Sequence, residues 1–360
     1  MGKDTALQDR FVYTAHPSRV VFGAGSLSVL ADEVGALGCS RAFVLTTPQQ
    51  KSTGADIVAR LGPLAAGLFS GAAMHTPLAV TERALAAFEA AGADCTVAIG
   101  GGSTTGLGKA LALRTNLPQI VVPTTYAGSE MTPILGETAD GRKTTQRGPR
   151  ILPETVIYDV DLTVGLPVGI SVTSGINAIA HAVEALYAQD RNPITSLIAV
   201  EGISALARAL PVIVETPLDP SARRDALYGA WLCGVCLGAA GMALHHKLCH
   251  TLGGSFDLPH AETHTVVLPH ALAYNAPAAP EAAARIAAAL GAEDGAQGLY
   301  DLIGRLGGPR ALRDIGMPQD GIERAAALAV ESPYWNPRPI EQEPIRALLE
   351  RAYRGSRPEA

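Results

Sequence analysis

Apolar positions in the first half of the chain follow two alternating spacings. Residues 19–23 (Arg-Val-Val-Phe-Gly), 42–47 (Ala-Phe-Val-Leu-Thr-Thr), 95–99 (Cys-Thr-Val-Ala-Ile), 119–123 (Gln-Ile-Val-Val-Pro) and 155–158 are short β-rich runs that predict buried strands. Between them, residues 27–37 carry helical spacing and stop at Gly38. Residues 81–92 do the same, with Ala84, Leu85 and Phe88 apolar and Glu82 and Glu89 among the polar positions. Strands without polar alternation, separated by helices, predict a parallel sheet covered on both faces.

The pattern changes near Pro167. Residues 175–188, 193–209, 222–250 and 280–290 are Ala- and Leu-rich helical segments, and no further β-rich run follows. The boundary is placed between Leu162 and Ser171, giving an α/β domain of residues 1–166 and an all-α domain of residues 167–360. Residues 354–360 are predicted to fray.

Composition narrows the class. Of 360 residues, 48% are hydrophobic but only 5% aromatic, so the core is aliphatic and large enough to need no staples. A net charge of −6 leaves no basic footprint for nucleic acid. The five cysteines are odd in number and scattered, which excludes a disulfide framework. Cys233-x-x-Cys236 sits in apolar surroundings and reads as two buried thiols one helical turn apart. The start, Met1-Gly2-Lys3-Asp4-Thr5, is polar with no apolar stretch after it, and the longest apolar run, 232–244, is too short to span a bilayer. These features predict a cytoplasmic protein without membrane contact.

Two turns carry chemistry. Gly100-Gly101-Gly102-Ser103-Thr104 follows a predicted strand and opens a helix. Its glycines let backbone N–H groups approach a phosphate at the positive helix end, and Ser103 and Thr104 add hydroxyls. Thr124-Thr125-Tyr126-Ala127-Gly128-Ser129 ends the next strand, and turns at strand C-termini are where open α/β sheets bind nucleotides. In the helical half, most histidines fall between His245 and His270. His246 and His250 are four apart and share a helix face, as do Asn177 and His181, while His260 follows the Gly253-Gly254 turn. Two facing helices with such pairs build a site that binds Zn or Fe when a carboxylate completes it.

Together these features resemble the iron-containing (group III) alcohol dehydrogenase family over nearly the whole chain. The markers are Phe22-Gly23-Ala24-Gly25, the glycine turn with Lys109, Pro123-Thr124-Thr125, the helix bearing His181, and the run from His246 through His250 and Pro259-His260 to Leu268-Pro269-His270. The resemblance implies a dehydroquinate synthase-like architecture, a Rossmann-like N-terminal domain with a helical C-terminal domain, and a homodimer. Residues 20–22 offer an edge strand for pairing. It also implies NADH or NADPH bound by Gly101, Gly102, Ser103, Thr104, Thr124, Thr125, Ser129 and Lys143. Metal-binding members carry Asp where Asn177 stands, with histidines matching His181, His246 and His260. The family's usual Asp in the glycine-turn helix is Gly106 here. The acid commonly found after the second strand is Thr47, and its loss implies tolerance of a ribose 2′-phosphate.

Those departures, with Ser103-Thr104-Thr105-Gly106-Leu107-Gly108-Lys109 and Asn336-Pro337-Arg338-Pro339-Ile340, resemble the maleylacetate reductase branch of the family. Its members reduce maleylacetate to 3-oxoadipate in aromatic-ring degradation without a metal. On that resemblance, His246 and His250 are the oxyanion donor and acid, with His181 beside them and Tyr126 an alternative proton donor. Asn177 and His260 shape the substrate pocket. For a substrate with two carboxylates, Lys247 and Arg338, as well as Arg147 and Arg150, are candidate clamps, the other reading of each being a solvated surface charge. Two other readings stay open: a metal-dependent (Fe or Zn) alcohol or polyol dehydrogenase, and a nucleotide-binding protein without redox activity.

Overall fold

The computed structural model describes residues 11–360 except Pro17, Asp140, Gly141, Ser332 and Pro333, and the backbone but not the side chain of Lys143. Met1 to Thr5 therefore lie outside the described residues. The chain forms two compact units. One comprises His16–Leu166 with Leu218–Leu227, and the other holds Pro167–Pro217 and Tyr228–Ala360.

In the first unit the β-rich runs become β1 (Arg19–Gly23), β2 (Ala42–Leu45), β4 (Cys95–Gly100), β5 (Gln119–Pro123) and β8 (Thr155–Asp159), joined by β3 (Ala65–Phe69). They form one parallel six-stranded sheet in the order β1-β8-β5-β4-β2-β3, as the absence of polar alternation predicted. Period-two geometry divides each apolar run between two cores. Val44, Val97, Ile99, Ile120, Val122 and Ile157 face one cluster, to which α1 (Leu30–Ala36) and α2 (Lys51–Leu61) contribute. Phe43, Leu45, Ala98 and Val121 face the other, with α3 (Leu78–Ala90) and α4 (Gly102–Thr115). Each fully buried aliphatic side chain contributes about 1.5–3 kcal/mol, so both faces are sealed independently.

Several elements were not assigned from the sequence. Helix α2 and strand β3 occupy residues left unassigned, and β3 (Ala-Ala-Gly-Leu-Phe) has no β-branched residue and stays half-buried at the sheet edge. An antiparallel hairpin pairs β6 (Ile134–Ala139) with β7 (Arg142–Arg147); β7 is polar. The short α5 (Asp161–Val164) follows β8.

The second unit is helical: α6 (Val168–Tyr187), α7 (Pro193–Glu215), the end of α8 (Pro220–Ala239), α9 (Leu244–Phe256), α10 (His260–Asn275), α11 (Pro280–Leu290), α12 (Gly295–Arg305), α13 (Gly321–Glu331) and α14 (Gln342–Arg354). Every residue of α6 from Ser171 to Tyr187 is buried, which makes it the core helix. Helix α7 runs past residue 209 and through Pro211 because Leu210 and Ile213 still bury their side chains, Leu210 against Gly175. It is long and apolar enough by composition to cross a membrane, yet Ala199, Ile203, Leu206 and Leu210 are buried in a helix that packs on α6 and α11. The expected single segment 222–250 is broken at residues 240–243, where the Gly241 N–H turns to Asp190 Oδ1 at 2.9 Å. Cys233 and Cys236 are buried thiols, as read from the sequence. The C-terminal residues are fastened rather than frayed. The Gly355 carbonyl accepts from Tyr300 Oη at 2.7 Å, the Pro358 carbonyl from Gln297 Nε2 at 2.7 Å, and Arg357 pairs with Asp301.

Gly106 lies in the first turns of α4, and a Cβ there would sit 2.3 Å from Thr76 Oγ1. Thr76 cannot readily withdraw, since its backbone is held at φ +46° and its carbonyl accepts the Thr138 N–H at 3.2 Å. Gly106→Asp is expected to lower stability by about 1–3 kcal/mol in urea titration. A variant as stable as the parent chain would show that Thr76 moves freely.

Candidate active site

Strand β4 ends at Gly100, whose φ of +147° suits glycine alone, and a Cβ there would meet Thr104 Oγ1 at 2.3 Å and Gln50 Oε1 at 2.6 Å. Gly101 caps α4, and its carbonyl accepts the N–H groups of Thr104 and Thr105. The N–H groups of Gly102 and Ser103 remain at the positive helix end, and a Cβ on Gly102 would find no atom within 4 Å. Thr104 Oγ1 is buried without a partner. Open backbone donors at a helix terminus fit the pyrophosphate of a dinucleotide.

The neighbouring strand ends are tied to this turn. Thr124 N donates to Gly100 O at 2.9 Å, Gln50 Nε2 to Thr124 Oγ1 at 3.1 Å, and Thr47 Oγ1 to Gln50 Oε1 at 3.3 Å. Gln50, absent from any motif, thus joins two predicted residues. Thr125 Oγ1 lies 3.0 Å from where a Gly101 Cβ would stand. Lys109 is buried and donates from Nζ to the Ser129, Thr132 and Ile134 carbonyls and to Thr132 Oγ1, fixing the segment after β5. Burial lowers its pKa to about 7, opposed by the nearby Glu130 charge. Ser129 Oγ in that segment is buried without a partner. Lys143 lies on β7 opposite Thr138, with its side chain outside the described part.

Tyr126 corrects an expectation. It is fully buried, Arg223 Nη1 donates to its hydroxyl at 3.3 Å, and the same hydroxyl bonds Thr163. Burial raises the phenol above its ordinary pKa. These contacts assign it to holding the turn rather than to moving a proton. Arg223, itself fully buried and also donating to Leu166 O at 2.9 Å, gave no sequence signal.

In the helical unit, the histidines converge as their spacing predicted. The ring of His246 (α9) lies 5.2 Å from His181 (α6), 6.3 Å from His250 (α9) and 5.0 Å from His264 (α10). The ring of His260, at the start of α10, is 4.3 Å from His264. His250 and His260 are exposed, whereas His181 and His246 are buried. Two histidines not predicted as site residues join them: His245 Nε2 and His264 Nδ1 form a 3.0 Å hydrogen bond. Burial, then neighbouring imidazoles, hold His181, His245 and His264 well below the ordinary histidine pKa.

The sequence reading also missed Glu184 on α6, which has no solvent exposure. Its Oε1 accepts the His245 N–H at 2.8 Å. Its Oε2 accepts the Ala243 N–H at 2.9 Å and lies 2.7 Å from His246 Nδ1. Glu184 follows His181 by three residues, a spacing that places both on one helix face. Lys247 Nζ stands 5.5 Å over the Tyr334 ring. Arg338 departs from its expected role: its guanidinium lies 4.2 Å over Tyr274 and Nη1 donates to the Tyr274 carbonyl at 3.0 Å, which fastens the 334–340 loop. Arg147 and Arg150 are exposed.

The positions that the resemblance matches to metal ligands hold three imidazoles, His181, His246 and His260, and Asn177, a neutral amide whose Oδ1 is buried and unpartnered. Glu184 is already committed to N–H donors. Among the described residues, the donor groups that converge within 4.8 Å are His245, Cys249 and His264, and separately Cys39, Asp94 and Cys95, not His181, His246 and His260. With no free carboxylate to offset a dication, this set does not fit the divalent metal the family name implies.

Two family models match the sequence: iron-containing alcohol dehydrogenase over residues 17–160, and the C-terminal domain of the Fe-containing alcohol dehydrogenase family over residues 171–353. A maleylacetate reductase of Rhizobium sp. (strain MTP-10005) is 62% identical over 97% of this chain and 99% of its own. The crystal structure of maleylacetate reductase from Agrobacterium tumefaciens superposes with a TM-score of 0.95 at 61% identity, covering 98% of this chain and 100% of that one. Sulfoacetaldehyde reductase from Bifidobacterium kashiwanohense, solved in complex with NAD+, shares the fold at a TM-score of 0.86 and 21% identity, over 96% of this chain and 99% of that one.

His270 on α10 is buried with both ring nitrogens unpartnered, and burial, then Arg351, lowers its pKa to about 4. A histidine whose folded pKa lies below its unfolded value of 6.5 binds its proton more readily when unfolded. Stability should therefore fall as pH drops through 6.5 toward 4. His270→Leu is expected to flatten that loss, read from denaturation midpoints between about pH 7 and pH 5. An unchanged acid limb would show that His270 is not among the groups responsible.

Proposed function

The chain belongs to the iron-containing alcohol dehydrogenase family, and from that premise we propose that it reduces maleylacetate to 3-oxoadipate with NADH or NADPH. The observation that carries the substrate is the 62% identity to a maleylacetate reductase over 97% of the chain. The neutral donor set around His246 supports a reaction without a metal and gives no support to a metal-dependent alcohol dehydrogenase.

In this reading residues 1–166 bind the nucleotide and residues 167–360 carry the catalytic groups. The N–H groups of Gly102 and Ser103 receive the pyrophosphate, and the hydroxyls of Thr104, Thr124, Thr125 and Ser129, with Lys143, complete the site. Thr47, with no carboxylate after β2, accommodates either ribose. When bound, the dihydronicotinamide supplies a hydride to the alkene carbon remote from the substrate ketone, and charge gathers on the ketone oxygen. His246 and His250 meet that charge, and a proton passes to the adjacent carbon. His250 is exposed and reloads from water. His181 enters as a neutral imidazole, because burial keeps it below the ordinary histidine range. Lys247 meets a substrate carboxylate, and Asn177 and His260 shape the pocket.

The protein in this reading is a soluble cytoplasmic homodimer. Among the described residues, the outer edge of β1 has no strand beside it in the sheet, and the preceding Phe11 and Val12 are 48% and 83% exposed. Light scattering that finds only monomer would remove the dimer from the proposal.

Purified protein should oxidise NADH or NADPH when maleylacetate is added, at a rate a chelator leaves unchanged. Stoichiometric iron or zinc whose removal abolishes turnover would overturn the metal-free chemistry. His250→Ala is expected to lower kcat on the order of 10²–10³-fold in the same assay. Full activity in that variant would remove His250 from the chemistry while leaving the substrate standing.

A further inference from the structure

Glu184 belongs to none of the motifs that mark this site, yet its surroundings specify it tightly. It is fully buried, and the donors that reach it are the N–H groups of Ala243 and His245, the more distant His246 N–H at 3.4 Å, the Tyr187 hydroxyl at 3.4 Å and the His246 ring at 2.7 Å. Backbone N–H groups cannot reverse their polarity. They hold both carboxylate oxygens as acceptors, so the hydrogen shared at 2.7 Å resides on His246 Nδ1. The other ring nitrogen, Nε2, is buried and meets no partner in the chain.

We infer that Glu184 is a positioning residue that locks His246 in the Nδ1–H tautomer and thereby keeps Nε2 as the atom that takes up the proton and, once protonated, faces the substrate. The inference rests on the reduction proposed above and adds a direction to it. That reduction breaks the alkene π bond and forms two C–H bonds, one from the hydride and one from a solvent proton. With Nδ1 already protonated, His246 takes the proton on Nε2 and passes it on from the same atom. In the opposite tautomer Nε2 would carry a hydrogen from the outset and could not receive one. Glu184 also accepts the first N–H groups of α9, so the acid that sets the tautomer places the helix bearing the ring.

Glu184→Leu tests this. Leucine removes the acceptor at His246 Nδ1 and should release the ring to the Nε2–H tautomer that free imidazole side chains favour. In ¹⁵N spectra, with the His246 signals assigned by their loss in His246→Asn, Nδ1 should move from the pyrrole-type to the pyridine-type range. Turnover of maleylacetate should fall about 10–100-fold in kcat with KM little changed. Glu184→Asp, which keeps a carboxylate, should retain the parental ¹⁵N pattern and recover part of kcat. A His246 spectrum that Glu184→Leu leaves unchanged would overturn the inference, as would equal losses of kcat in the two variants with the same tautomer in both. The spectra read the tautomer whether or not maleylacetate is the substrate, so failure of the substrate assignment shows separately, as a parent chain that does not turn maleylacetate over.

Discussion

A carboxylate removed from water must be satisfied by the chain itself, and in the helical unit that requirement falls on Glu184. Its partners are the first N–H groups of α9, which exist as free donors only because the helical run stops after Ala239 and restarts at Leu244. A continuous helix through residues 240–243 would bond those groups internally and strand the acid. The break, the burial of α6 and the orientation of His246 are therefore one constraint seen from three elements.

The α/β unit solves the converse problem. Lys109 is a buried cation whose ammonium is met by the Ser129, Thr132 and Ile134 carbonyls and a threonine hydroxyl. In each unit one buried ionisable side chain gathers irregular backbone: Lys109 the carbonyls after β5, Glu184 the amides at the start of α9. Both segments lie next to residues proposed for the chemistry, where a loop must be rigid without being apolar. The sheet supplies the frame, since its buried strands bring Gly100 and Thr124 to the same end of β4 and β5, two strands paired in register.

The parts of the fold legible in the sequence are those where one physical effect dominates. Unbroken β-branched runs such as Ile120-Val121-Val122 can only be strands buried on both faces, and they are. Strand β3 and the β6–β7 hairpin escaped because their residues have neither strong propensity nor a clear pattern, and distant partners hold them: the sheet edge and the flanking cores for β3, and Ala110, Arg114 and Lys109 of α4 for β6. In the site, i, i+4 spacing brought out His246 with His250 and Asn177 with His181, because helix geometry is local. Glu184 had the same kind of signal, three residues after His181, but nothing local says that its partner is a helix N-terminus 59 residues onward. Tyr126 and Arg338 show the opposite failure. Their chemistry was legible, but Arg223 and the Tyr274 carbonyl, which engage them, are distant in sequence.

At three positions the family resemblance implies an acid, and the structure shows that the residues found there are not equivalent. At Gly106 the space is taken: Thr76 Oγ1 stands where a Cβ would go, so the chain has rebuilt around the loss. At Thr47 the hydroxyl joins the Gln50 bridge to Thr124, which keeps the strand ends together without a charge. At Asn177 nothing has rebuilt, and its Oδ1 is buried and unsatisfied one helical turn from His181. An unpaired buried acceptor costs about 1–3 kcal/mol, and a chain tolerates it where a ligand supplies the donor. Asn177 Oδ1, His181 Nδ1 and His246 Nε2 all lack partners within the chain. That capacity to accept is left for water or another donor, in a cluster whose carboxylate is already committed to the N–H groups of α9 and to the His246 ring.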